Sequence, residues 1–115
     1  MCEDTKRSFE IKLERISDEG ISVRFYSKKR CELIVYNVIA FNQQGEGDDR
    51  NRVSDYSLMK LNNSSDVKMF SRFSKPISVY RTLGFQVKDV SNKEMFSVRV
   101  PLNGDTVLFT RMRYV

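Results

Sequence analysis

The chain has no histidine and no tryptophan, and only two cysteines, two prolines and five glycines among its 115 residues. Without histidine there is no Ser-His or Cys-His nucleophile pair, no HExxH helix and no zinc site that needs an imidazole. Cys2 and Cys31 cannot by themselves complete a structural zinc site, which takes four ligands. Neither GxxxxGK[ST] nor GxGxxG occurs, and Gly20, Gly45, Gly47, Gly84 and Gly104 fall mostly where turns are expected, so no phosphate-cradling loop is indicated. The longest apolar run, Leu33 to Phe41, is interrupted by Asn37 and falls far short of the roughly 20 residues of a membrane-spanning helix.

What remains is an ordinary globular composition, 40% hydrophobic and 30% charged, at a length that fits one domain. The Asp and Glu residues fall in loops and on the polar phases of alternating segments, where solvated charge belongs. The chain therefore reads as a non-enzyme without a cofactor.

The net charge of +5 raises the question of nucleic acid, so its distribution matters. Residues 1–20 carry four basic and six acidic groups, and residues 21–39 carry four basic and one acidic, concentrated in Lys28-Lys29-Arg30. Residues 40–70 are close to neutral, and residues 71–115 hold eight basic and three acidic groups. Aromatics alternate with basic residues at Arg24-Phe25-Tyr26, Phe70-Ser71-Arg72-Phe73 and Phe109-Thr110-Arg111, as in a surface that stacks bases. A half-buried strand produces the same pattern.

The dominant period is two. Phe9, Ile11 and Leu13 alternate with Glu10, Lys12 and Glu14; Ile21, Val23 and Phe25 alternate with Ser22, Arg24 and Tyr26; and Ser17 to Gly20 between them predicts a hairpin. Glu32 to Phe41 is apolar on both phases, as in a central strand. Asn42 to Arg52 is a loop with no apolar anchor. Ser54 to Leu61 fits a short helix or a strand ending at Asn62-Asn63, and Val67 to Phe73 alternates until Lys75-Pro76 breaks it. Three further strands follow at Ile77 to Lys88, Met95 to Val100 and Thr106 to Tyr114, with Asn103-Gly104 a hairpin signal between the last two. Short strands at this spacing predict an all-β, two-sheet antiparallel β-sandwich with at most one short helix.

Of the cysteines, Cys31 opens the most apolar strand and reads as a small buried hydrophobe. Cys2 is followed by polar residues as far as Ser8, and two readings fit it: the native start of a cytoplasmic protein, or the lipidated cysteine of a bacterial lipoprotein with its polar tether.

The stretch Tyr80 to Leu102 resembles the C-terminal end of the TssJ family, the outer-membrane lipoproteins of type VI secretion systems. Leu83-Gly84 is similar to the family's apolar-Gly step, Lys88-Asp89 to its basic-Asp turn, Phe96 to its strand aromatic, and Val100-Pro101-Leu102 to its closing Val-Pro-apolar. Val23-Arg24-Phe25-Tyr26 and Ser54-Asp55-Tyr56-Ser57-Leu58-Met59 resemble two further family segments more weakly. Family members usually carry Trp where this chain has Phe96, and a long loop between the first two strands where it has only Ser17 to Gly20. Such a chain is a divergent or minimal member.

The resemblance implies a transthyretin-like sandwich spanning residues 9–115. Residues 1–8 would be a tether, anchored through lipid on Cys2 to the periplasmic face of the outer membrane of a Gram-negative bacterium. The implied partner is the periplasmic domain of a TssM-like inner-membrane protein, with no small-molecule substrate and no nucleic acid. The expected contact surface is the loop carrying Asp48, Asp49 and Arg50, together with the basic run Lys28, Lys29 and Arg30; the competing reading of that loop is a solvated connection. Two other classes compete: a cytoplasmic basic β-barrel that binds single-stranded nucleic acid, and a small enzyme using Asp89 and Glu94.

Overall fold

A computed structural model describes residues 7–47 and 58–112. These form eight strands: β1 (Phe9–Ser17), β2 (Gly20–Ser27), β3 (Cys31–Asn42), β4 (Leu58–Leu61), β5 (Ser64–Phe70), β6 (Tyr80–Asp89), β7 (Glu94–Pro101) and β8 (Leu108–Met112). A three-stranded antiparallel sheet, in the order β1-β2-β5, packs on a five-stranded one in the order β4-β3-β6-β7-β8. The chain is thus an all-β sandwich, and no α-helix occurs among the described residues.

The alternation explains the core. Phe9 and Ile11 of β1, Ile21, Val23 and Phe25 of β2, Leu33 and Val35 of β3, Leu83, Phe85 and Val87 of β6, and Phe96, Val98 and Val100 of β7 all point between the sheets and are buried. Phe9 meets Phe96 edge-on at 5.5 Å between ring centroids, and Phe109 closes the same cluster. Phe85 holds the other half, against Phe25 and Phe70. Edge-on and offset aromatic pairs add to what area burial alone supplies.

The chain changes sheet at three corners, and these fix what lies at each end of the sandwich. β2 passes to β3 through Lys28-Lys29-Arg30; β4 passes to β5 through Asn62-Asn63, where Asn63 has φ 50°; and β5 passes to β6 through residues 71–79, where Arg72 has φ 70°. Ile77–Val79, expected as strand, forms a single 3-10 turn after Pro76, closed by the Val79 amide donating to the Pro76 carbonyl.

Two strands depart from strict alternation. In β3 the pairing with β6 slips between Tyr36 and Ile39, and Asn37, with φ 55°, makes the bulge. The bulge keeps Val38 and Ala40 directed inward after Val35 and leaves Ile39 and Phe41 on the outer face. In β1 the register slips around Glu14. Its carboxylate takes two hydrogen bonds from Arg24 (2.9 and 3.1 Å), which hold it below the usual carboxylate range.

Three further expectations change. Val67 and Met69, the apolar phase read in the fifth strand, face solvent, because Phe70 stacks on Phe85 and a strand commits a whole phase at once. Asn103-Gly104 does not make a two-residue hairpin: Gly104 has φ +90°, its amide meets the Pro101 carbonyl at 3.4 Å, and six residues separate β7 from β8. Asp89, read as solvated, is fully buried.

Candidate functional site

Phe9 at the start of β1 pairs with Ser27 at the end of β2, so the chain enters the domain beside the β2–β3 corner. The Ser27 hydroxyl is buried there; it donates to the Ser8 carbonyl (2.8 Å) and lies 2.5 Å from the Lys29 carbonyl. The turn between β6 and β7 is joined to the same place. The Asn92 side-chain amide donates to Asp89 Oδ2 (2.9 Å) and Ser8 Oγ (3.3 Å), and Ser8 Oγ lies 3.3 Å from Asp89 Oδ2. The Asn92 backbone amide donates to Asp89 Oδ1 (3.2 Å). Through Val90 N to the Glu32 carbonyl (2.8 Å) and Glu32 N to Ser91 Oγ (3.2 Å), the turn is also tied to the first residues of β3.

The result is a polar knot of Ser8, Ser27, Cys31, Asp89 and Asn92 under one end of the sandwich. A buried carboxylate is tolerable because hydrogen bonds replace its water. Cys31 is fully buried, its sulfur 3.6 Å from Ser8 Oγ. Burial pushes its thiol pKa up, the nearby Asp89 carboxylate adds to the rise, and the Ser8 hydroxyl opposes it, so the thiol is held in its unreactive protonated form. Sequence reading identified Cys31 as buried but missed the polar company it keeps. The signal was available: counting by twos from Leu83 through Phe85 and Val87 brings Asp89 to the inward phase.

Around the knot stand the exposed side chains of Lys28, Lys29, Arg30 and Lys93, none paired with an acidic group among the described residues. The loop expected to join this basic run in one surface starts elsewhere. β3 runs from Cys31 to Asn42, so Asn42–Gly47 caps the opposite end of the sandwich, about 35 Å away at strand rise. A single compact contact cannot cover both. Asn42–Gly47 is also more tightly organised than its composition suggests. The Asn42 side-chain oxygen accepts the amides of Gln44 (3.0 Å) and Glu46 (2.9 Å), its side-chain NH2 donates to Glu46 Oε1 (3.0 Å), and Gly47 bridges back to Phe41. Cys2, Asp48, Asp49 and Arg50 lie outside the described residues.

The two carboxylates considered for catalysis stand opposite each other across the β6–β7 ladder, but each is committed to other groups. Asp89 is committed to Asn92 and Ser8, and Glu94 to an ion pair with Arg111. The aromatics that alternate with basic residues are mostly core: Phe25 and Phe70 are buried, Phe73 packs on Tyr80, and Phe109 is half-buried under the Arg7 guanidinium. Of that group only Tyr26 is exposed. Among the described residues no group of three or more His, Cys, Asp and Glu side chains could hold a metal ion. No protein family, curated protein or solved structure matches the chain.

Proposed function

We propose that the chain is a non-enzymatic, lipid-anchored adaptor of the TssJ kind. It would be tethered through Cys2 to the periplasmic face of the outer membrane and hold the periplasmic domain of a TssM-like inner-membrane protein in a type VI secretion complex. The observation that carries the reading is the polarity of the sandwich. Ser8 is knotted into one end, and the turn Asn42–Gly47 caps the other. A protein tethered at the first end offers the second to a partner reaching across the periplasm. The sandwich itself agrees with the architecture that the Tyr80–Leu102 resemblance implies. Loops on a rigid sandwich suit partner recognition because they vary without disturbing the core.

Measured association with the recombinant periplasmic domain of the TssM-like protein tests this. Wild type should bind, and replacing Asp48 and Asp49 by Ser should slow association several-fold at low salt, since rim charges act mainly on the on-rate. No association by folded wild-type protein contradicts the adaptor reading. Unchanged association in the double variant moves the contact to a sheet edge such as β5, where Val67 and Met69 are exposed.

A further inference from the structure

The two ends of the sandwich differ in charge. The end where the chain enters carries Lys28, Lys29 and Arg30 in one corner and Lys93 in the adjacent turn, and neither stretch contains an acidic residue. The turns at the opposite end carry Asp18, Glu19, Glu46 and Asp105 against Arg72 and Lys75. The loops of the basic end are also held by side-chain hydrogen bonds. Ser27 fixes the Lys29 carbonyl, Asn92 fixes the turn that ends in Lys93, and both bond to Ser8, so the two basic stretches lie beside the first described residues of the chain. Val90, an exposed apolar side chain, stands in the same turn.

We propose that this rim, Lys28, Lys29, Arg30 and Lys93, docks on an anionic membrane surface, with lipid phosphodiester headgroups as its ligands. The orientation argument rests on the lipid-anchor reading. From Cys2 to Arg7 the chain can span at most about 18 Å, so an anchored protein keeps this end within two to three Debye lengths of the headgroups. A lipid anchor then needs no apolar belt on the domain. The rim converts a loose tether into a fixed posture with Asn42–Gly47 directed away from the bilayer. A buried hydroxyl and a buried carboxylate spent on fixing two loops are accounted for if those loops must hold cations in one plane.

The test uses the full-length chain without lipid, as Cys2→Ser, so that its outcome does not depend on whether Cys2 is acylated in cells. Sedimentation with phosphatidylcholine vesicles containing about one quarter phosphatidylglycerol is compared with pure phosphatidylcholine at low ionic strength. A basic residue at an anionic surface is worth roughly a fivefold change in partitioning. Lys28→Ser with Lys29→Ser should therefore lower partitioning onto the anionic vesicles at least about tenfold. Arg72→Ser with Lys75→Ser, the same change in net charge at the other end, should lower it less than about twofold. Equal losses in the two pairs, or no preference of the unsubstituted chain for anionic vesicles, overturn the proposal. So does tight binding of a single-stranded oligonucleotide through Lys28 and Lys29 with no vesicle binding. Absence of acylation in cells, with the vesicle result intact, overturns only the anchor reading.

Discussion

The edge of the Phe41 ring abuts Gly84 on the outer face of the five-stranded sheet, and a Cβ built at Gly84 would stand 2.7 Å from Phe41 Cε2. The ring's surroundings also include Arg99, whose guanidinium carbon lies 4.4 Å from its centroid. A glycine inside an alternating strand signals a bulge or a close approach. The close approach is there, but the bulge is across the ladder at Asn37 in β3.

Gly84→Val should accordingly destabilise the protein by about 1–3 kcal/mol, because the ring must leave its seat. In a Phe41→Ala background the same change should be neutral or stabilising, since a β-branched residue then suits the strand. Urea unfolding of the four proteins in a double-mutant cycle measures the coupling. Additive effects would mean that the ring does not occupy the space above Gly84.

Asp89→Ala should cost about 1–3 kcal/mol, because the turn at Asn92 and the half-buried Ser8 hydroxyl lose the buried acceptor that joins them. Amide exchange should rise in residues 90–93 and at the start of β1, which the knot joins, more than in the Asp18-Glu19 turn at the far end. Uniform exchange changes would contradict a local role for the knot.

Cys31 gives a pH dependence. Its folded pKa is raised by burial, so above the unfolded value of about 8.5 the unfolded chain loses a proton that the folded chain keeps. With fewer protons on the unfolded state the slope of stability against pH is negative. Stability should be unaffected below about pH 8 and fall as pH rises towards 10, by at most about 1.4 kcal/mol per unit from this group. In Cys2→Ser protein, Cys31→Val should flatten that decline, and the single remaining thiol should resist maleimide until denaturant is added. Rapid labelling of native protein would show the site to be open.

Phe96 is one of the two places where this chain departs from the TssJ pattern it resembles, and the packing gives a reason. Phe9 and Phe109 already meet its ring edge-on, and Arg111 lies over it at 5.1 Å. Phe96→Trp should overpack the site by about 1–3 kcal/mol, and Phe96→Ala should cost about 3–5 kcal/mol through the cavity it leaves. A fully tolerated Trp would mean that the cluster has slack.

The strands were legible wherever one face is buried against the other sheet: Phe9-Ile11, Ile21-Val23-Phe25 and Phe96-Val98-Val100 alternate as they pack. The first hairpin was equally plain, with Ser17 and Gly20 paired across Asp18-Glu19. Gly20 serves less as a turn residue than as a gap, since a Cβ there would meet the Phe70 carbonyl at 2.5 Å. That contact is set by β5, 50 residues downstream, and no local pattern carries it. The same holds for the exposed Val67 and Met69, whose phase is fixed by the distant ring of Phe85. The polar knot escaped because serine and asparagine near turns ordinarily read as solvated. The distance between Lys28–Arg30 and the Asn42 loop was legible, because the single strand read from Glu32 to Phe41 already sets them at its two ends.

The central claim is anchorage through Cys2 with the sandwich held on the periplasmic side. The most direct measurement is labelled palmitate incorporation, with membrane fractionation, for the protein expressed from its own locus, as wild type and as Cys2→Ser. The account predicts label in an outer-membrane fraction for wild type, and in the variant loss of the label and of any membrane association that survives a high-salt wash, with its β-rich spectrum unchanged. Unlabelled, soluble wild-type protein with Cys2 intact would contradict it.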